Sequence, residues 1–404
     1  MEKSKIMFLF IFFSCSDIGE SYEWDSKSSI NFYRKFGEMG YDYGWSASDS
    51  PYDNGVIITG TVEQNINGQK DLWAIKTNER GIALWEKKFG GINNEEGYDV
   101  ISTSDGGYLF VGYSWSYGNN QQIYLVKTDF YGNLEWEKTY GGSMWEVGYS
   151  LIELNNGGYA ISGFSNSPGL SSGNTDMLLM KIDKSGNQKL LKLYGNEQFP
   201  NHEWAFDLVE DLNNNIYLVG AIDRYNKGSK NSLIIKVDTD GKIIWKKEIL
   251  SMDQENEIAY SIDFSDDGGF YICSSINSSF DQNTFKPKIM KIDSSGNIDW
   301  QRILNTNSLE YHQFRISSTS SGSIILAGTS INSSTSTKKS DAFVYELDSK
   351  GNIIWSSPYG TLDEDDWGWY AFQKPNGNLI MIGSTKSFNA SLFDIFLVGI
   401  NKRN

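Results

Sequence analysis

Between Glu95 and Gly142 the chain changes its hydrophobic rhythm in a fixed order. "GYDVIST" alternates apolar and polar residues, "YLFVGYS" and "QIYLVKTD" are almost continuously apolar, and "LEWEKTYGG" returns to alternation. A period of two marks a strand with one buried face, whereas a short apolar run bounded by turn residues marks a strand buried on both faces. "SDGG" and "FYGN" separate the segments as tight turns. The pattern predicts a unit of four antiparallel strands.

That unit recurs. Trp85 is followed at the same place by Trp136, Leu190, Trp245, Trp300 and Trp355, at steps of 51, 54, 55, 55 and 55 residues. A period of this length holds four strands and their turns. Gly106-Gly107, Gly157-Gly158, Gly268-Gly269 and Asn376-Gly377 mark the first hairpin of successive units, and Gly132-Asn133, Gly186-Asn187, Gly296-Asn297 and Gly351-Asn352 mark the second. Second strands number seven: "GVIITG", "YLFVGYS", "YAISGFS", "IYLVGA", "FYICSS", "SIILAG" and "LIMIGS". Only six fourth strands follow them, because the chain ends at "IFLVGINKRN". The segment "INFYRKFGE" near the start supplies the missing one, with Phe32 in the tryptophan position 53 residues before Trp85. The expected fold is therefore all-β: a seven-bladed β-propeller of four-stranded antiparallel blades over residues 30–404, closed by the N-terminal strand completing the last blade.

The repeat Asp-x-x-Gly-Asn-x-x-Trp … Tyr-Gly-Gly … Gly-Tyr is carried by Asp129, Gly132, Asn133, Trp136, Tyr140, Gly141, Gly142, Gly148 and Tyr149, with the turn Gly157-Gly158-Tyr159 after it. It resembles the SBBP-type bacterial β-propeller repeats of exported and surface proteins. The resemblance implies a propeller and export; its residues are scaffold residues and imply no activity. The start of the chain agrees with export. Lys3 and Lys5 precede an apolar run from Ile6 to Phe13, the order of a secretion signal, and that run is too short to span a bilayer as a helix. Ser14-Cys15 resembles the lipobox of bacterial lipoproteins, which implies acylation at Cys15. Residues 1–14 are read as a signal peptide and 15–29 as a tether, placing the protein in the bacterial cell envelope, at the outer membrane or cell surface, with the membrane touched only through the lipid.

Composition narrows the partners. Fifty-one acidic against 35 basic side chains give a net charge of −16, which repels phosphate backbones and argues against nucleic acid. Two cysteines, Cys15 and Cys273, exclude a disulfide framework, and Cys273 inside "GGFYICSS" is expected to be a buried small hydrophobe. The two histidines, His202 and His312, lie two blades apart without "GxSxG" or "HExxH" motifs, so no catalytic residues are assigned. No metal site is assigned either. "DTDG" (238–241) occupies a repeated hairpin and "DEDD" (363–366) reads as solvated loop, which leaves calcium as the one cofactor worth testing.

The connections from second to third strand and from blade to blade are long and variable, as in "SWSYGNNQQ", "SNSPGLSSGNTD", "DRYNKGSKNS" and "NSSFDQNTFKPK", and variable loops on a rigid scaffold carry specificity. An acid stands three residues before the aromatic of six innermost strands: Asp42, Glu95, Glu146, Glu203, Glu257 and Asp366. A group repeated in nearly every blade is expected to brace a blade junction by accepting backbone hydrogen bonds, yet six carboxylates round one channel mouth also suit polar substrate hydroxyls. Large aromatics that break the repeat on this face point to sugar rings, whose C–H faces stack while their hydroxyls hydrogen-bond. The candidate ligand contacts are Trp115, Tyr117, Trp145, Glu146, Glu203, Trp204, Asp366 and Trp367. The expected function is an exported binding module for polysaccharide or another polymer. A polysaccharide-cleaving enzyme using mouth carboxylates and a protein-binding adhesion module are the alternatives.

Overall fold

Strands buried on both faces need a neighbour on each side, and a ring of radially stacked sheets provides one. A computed structural model describes residues 30–64, 68–118, 120–167, 174–195, 201–224, 230–250, 256–278, 281–304, 308–309, 313–331, 339–361, 363–390 and 392–401. The expected leader and tether, with Cys15, lie outside the described residues, as does His312. No helix among the described residues is long and apolar enough to cross a membrane.

The strands form seven antiparallel sheets. From channel to rim, blade 1 is Tyr43–Ser50, Gly55–Glu63, Lys70–Thr77 and Ala83–Phe89. Blade 2 is Glu95–Ser102, Tyr108–Ser114, Gln122–Thr128 and Leu134–Tyr140; blade 3 is Glu146–Glu153, Tyr159–Ser165, Asp176–Ile182 and Gln188–Tyr194. Blade 4 is His202–Glu210, Ile216–Asp223, Lys230–Val237 and Ile243–Ile249; blade 5 is Asn256–Phe264, Phe270–Ser278, Asp281–Ile292 and Ile298–Ile303. Blade 6 is Arg315–Ser318, Ile324–Ile331, Ser340–Leu347 and Ile353–Tyr359. Blade 7 is Asp366–Gln373, Leu379–Thr385 and Asp394–Ile400, with Ile30–Phe36 as its outer strand. One expected loop proves to be strand: much of "NSSFDQNTFKPK" extends the blade 5 hairpin, pairing Asn277 with Phe285, and Ser308–Leu309 adds to its edge. Its backbone groups find ladder partners there instead of solvent.

The repeated residues each have a mechanical role. In the second hairpin, Asp129 accepts the amides of Tyr131 and Asn133 at 2.8 Å each and the Asn133 side chain at 2.8 Å, which fixes the turn; Asp183, Asp293 and Asp348 do the same. Gly132 has φ of 76°, and a β-carbon there would lie 3.0 Å from the Trp85 ring of the preceding blade. The same contact of glycine with the rim side chain joins Gly186 to Trp136, Gly296 to Trp245 and Gly351 to Trp300, and Gly241 to Leu190 where leucine replaces the ring. Tryptophan and glycine therefore recur together because each rim ring packs beneath the next blade's turn.

Closure repeats that contact. Ile30–Phe36 pairs antiparallel with Asp394–Ile400, and Phe32 packs against Gly81 of blade 1 as Trp85 packs against Gly132. Phe32 and Phe36 are buried in one cluster with Ile58 and Ile75 of blade 1 and Ile395 and Leu397 of blade 7. Cys273 is fully buried as expected. Deleting residues 30–37 removes a ladder and two buried phenylalanines worth about 3–5 kcal/mol each, so the thermal midpoint should fall by roughly 10 °C or more. Differential scanning calorimetry on the deletion checks this; an unchanged midpoint would refute closure through this strand.

Candidate functional site

The repeated acids sit at the ends of the innermost strands, against the blade-to-blade connections. Glu95 accepts the Gly91 amide at 2.7 Å and the Ser114 hydroxyl at 2.6 Å; Glu146 accepts the Gly142 amide at 2.9 Å and the Ser165 hydroxyl at 2.7 Å. Asp366 accepts the Thr361 amide at 3.0 Å and the Ser387 hydroxyl at 2.6 Å, and Asp42 the amides of Glu38 and Glu63. Glu257 is paired with Lys288 at 2.9 Å. All five are buried. A β-carbon on Gly90, Gly141 or Gly360 would lie within 2.5 Å of the brace carboxylate, so the first glycine of Tyr-Gly-Gly makes room for the brace. Glu203 is also buried, with the Asn201 side chain as its hydrogen-bonding neighbour and no described backbone amide on either oxygen. The connection that supplies the amide in other blades is here residues 196–200, outside the described set.

The candidate ligand contacts separate accordingly. Glu146 and Asp366 are consumed as braces, and Trp367 is 8% exposed, with its ring 3.9 Å from that of Phe393. These three point into the scaffold because the positions that carry them are repeat positions or lie beside one. Trp204 is half-buried, stacked on His202 and capped by Lys230 at 5.3 Å. His202 itself is held by Thr175, whose amide donates to Nδ1 at 3.0 Å. Trp115 and Trp145 meet edge to face at 6.2 Å across the junction of blades 2 and 3, with Trp145 47% exposed. Asn93, Asn120 and Asn166 border the pair, each tied to nearby backbone. Tyr117 is exposed on the same face, its hydroxyl donating to the Gly90 carbonyl at 3.0 Å.

The two acidic stretches weighed for calcium are parts of the scaffold. Asp238 accepts the amides of Asp240 and Lys242 in its hairpin. In "DEDD", Asp366 is a brace and Asp365 is paired with Lys339 at 3.3 Å. Among the described residues no three His, Cys, Asp or Glu side chains converge to hold a metal.

Along the axis lies an arrangement that alternation does not reveal. Six of the seven innermost strands shift register at their aromatic, so Trp45, Tyr98, Tyr149, Phe206, Tyr260 and Trp369 are left unpaired as bulge residues. A bulge re-aims side chains. Both the aromatic and the residue after it line the channel. The six rings form a collar, with centroid separations of 4.7, 5.6, 5.5, 5.1 and 4.8 Å from Trp369 through Trp45, Tyr98, Tyr149 and Phe206 to Tyr260. Below it the following residues make a polar girdle round a cavity of about 350 Å³. Ser46 donates to Asp99 at 2.7 Å, Ser150 lies 2.9 Å from both Asp99 and Asp207, and Ser261 donates to Asp207 at 3.1 Å. Blade 6 breaks the collar: Phe314 turns into the core, and Gln313 and Arg315 face the channel.

The Ser150 hydroxyl has one proton to share between two carboxyl groups, each 2.9 Å away. Burial pushes the pKa of Asp207 up to about 6 against the opposing charge of Arg315, so this acid takes up a proton as pH falls towards that value. Burial likewise raises Asp42 and Glu203 to about 7, and Asp71, helped by the Glu95 charge, to about 6.

A family model described as Arylsulfotransferase (ASST) matches residues 207–367, from blade 4 to the start of blade 7. No curated protein matches. Among solved structures, a PL25 polysaccharide lyase, an ulvan lyase, is similar at a TM-score of 0.57 and 10% identity, over 91% of this chain and 96% of its own. The polysaccharide lyase Uly1 gives 0.54 and 10% over 87% and 89%, and Sqt1 from Chaetomium thermophilum gives 0.50 and 8% over 94% and 100%. At these identities the likeness shows the fold.

The raised carboxyls set a pH dependence. A group with a raised folded pKa contributes stability that is complete below its unfolded value near 4 and is lost as pH rises through 6 to 7. The thermal midpoint should therefore be higher at pH 5.5 than at pH 8. Below about 4 it should fall again, as groups such as Asp267, held at about 2 by its Lys291 hydrogen bond, become protonated. Asp207→Asn, which keeps a donor towards Ser150, should narrow the difference between pH 5.5 and 8. Thermal scans across pH test both statements, and a midpoint rising with pH would contradict them.

Proposed function

We propose that this protein is an exported binding module for a carbohydrate polymer, docked on the face that carries the second-to-third and blade-to-blade connections. The observation that carries the reading is the Trp115–Trp145 pair, two large rings at 66° to one another with Trp145 about half exposed. Crossed aromatic planes offer stacking to a bent sugar chain, and the adjoining Asn93, Asn120 and Asn166 offer amides to its hydroxyls. Tyr117 extends the same strip. The acidic surface, net −16, accords with a neutral or locally cation-matched ligand and not with nucleic acid. Export and a lipid anchor at Cys15 belong to the same reading, supported by the signal-like first residues.

A second reading, an enzyme acting on such a polymer, is favoured by Glu203. A carboxyl held near neutrality is suited to general acid–base work. Glu203→Gln should then abolish turnover while binding persists; a parent protein without turnover on any bound glycan removes this reading.

The binding reading is tested on a glycan array with the full chain, followed by calorimetry on the selected glycan. Trp145→Ala and Trp115→Ala should each weaken binding about tenfold or more, the loss of one stacked ring, with unchanged thermal midpoints. A blank array, or a Trp145→Ala variant that binds like the parent, would overturn it.

A further inference from the structure

The girdle residues alternate serine and aspartate from Ser46 to Ser261, and blade 6 interrupts them with Arg315. Arg315 lines both the collar space, about 180 Å³, and the larger cavity below it, and among the described residues it is the only cation lining either. It is half-buried. Its guanidinium carbon stands 5.5 Å from the Tyr370 ring centroid and its charge acts on Asp207, while no hydrogen bond or close ion pair with a described residue holds it.

The nearby carboxylates are already engaged. Asp99 accepts Ser46 and the Val100 amide on one oxygen, and the Leu151 amide on the other, where Ser150 also lies. Asp207 accepts the amides of Leu208 and Ile262 and the Ser261 hydroxyl, and faces Ser150. Asp263 accepts the amides of Phe264 and Ser318, and Asp49 is paired with Lys374 at 3.2 Å. A guanidinium presents five donors in a planar fork that matches a carboxylate in two parallel hydrogen bonds. A ligand carboxylate would replace water on those donors with charge-assisted pairing, stronger in the narrow channel than at an open surface. Beside it, among the described residues, no ring of blade 6 completes the collar: Phe314 turns into the core and the Gln313 amide stands exposed. Rings on the remaining sides favour the flat, C–H-bearing face of a sugar.

We propose that the channel neck at Arg315 is a carboxylate-binding subsite that receives a uronic acid residue of the polymer, presented through the collar gap at blade 6. The proposal rests on the carbohydrate reading and sharpens it: the ligand is acidic, and its charged residue enters the channel while neutral residues lie across Trp115 and Trp145. Arg315 then supplies the fork, Gln313 a neighbouring amide, and Trp45 and Trp369 the stacking walls.

The test titrates the full chain with a glucuronate-terminated oligosaccharide and with its neutral methyl ester, in the parent, Arg315→Gln and Arg315→Lys. The parent should bind the acid at least about tenfold tighter than the ester, as charge-assisted bidentate pairing implies. Arg315→Gln should lose that preference and keep the ester affinity, and Arg315→Lys should keep part of it; thermal midpoints establish that each variant is folded. Equal affinities in the parent, or an acid preference surviving in Arg315→Gln, would overturn the subsite while leaving carbohydrate binding standing. If neither oligosaccharide binds, the carbohydrate reading fails, and glucuronate alone decides the site by the fluorescence of Trp45 and Trp369. A saturable change abolished in Arg315→Gln supports it, and no change overturns it.

Discussion

Seven innermost strands converge on one axis, and the polar residues they bring there must satisfy one another or leave buried groups unmet. The girdle from Ser46 through Asp99, Ser150 and Asp207 to Ser261 meets that constraint with side chains that each bridge to the next blade. It continues through the Ser261 hydroxyl to the Ile316 amide and from Ser317 to the Ala371 carbonyl, so blades 1 to 7 are stitched in sequence. Two carboxyls there face the single Ser150 hydroxyl, so the protonation of Asp207 bears on how well the axis is held.

The rim is held by different physics. There each Trp or its substitute packs beneath a glycine turn of the following blade, and between axis and rim the brace acids fix the blade junctions through loop amides. The N-terminal strand enters this scheme with Phe32 on Gly81, which makes the closing blade mechanically equivalent to the others. Almost every recurrent residue thus has a structural task. Binding chemistry is left to departures from the repeat: the Trp115–Trp145 pair at one junction, and Arg315 where blade 6 gives up its collar aromatic.

That division explains what could be read from the sequence. Blade number, strand order and closure follow from spacing, because the Trp and Gly positions are coupled by contact and so recur together. The expectation of export rests on residues 1–29, which lie outside the described residues. Of the candidate ligand contacts, Glu146 and Asp366 turn inward because the carboxylate that follows a Tyr-Gly turn is drawn onto its amides, a contact that composition alone does not distinguish from a binding acid. Trp367 looks like a loop aromatic but begins a strand whose register directs it onto Phe393. The channel lining was missed for a definite reason. Strict alternation sends an aromatic and the residue after it to opposite faces, whereas a bulge at the aromatic turns both towards the axis. The series Ser46, Asp99, Ser150, Asp207, Ser261, Arg315, Tyr370 was present in the sequence, one step beyond the repeated aromatic.

The most direct test of the account is neutron diffraction from deuterium-exchanged crystals grown near pH 5. A shared proton at the axis predicts a deuteron on the Asp207 oxygen that faces Ser150, with the Ser150 deuteron directed at Asp99. A bare Asp207 carboxylate, with Ser150 donating to it and no proton on either acid, would contradict the girdle as the element on which the ring depends.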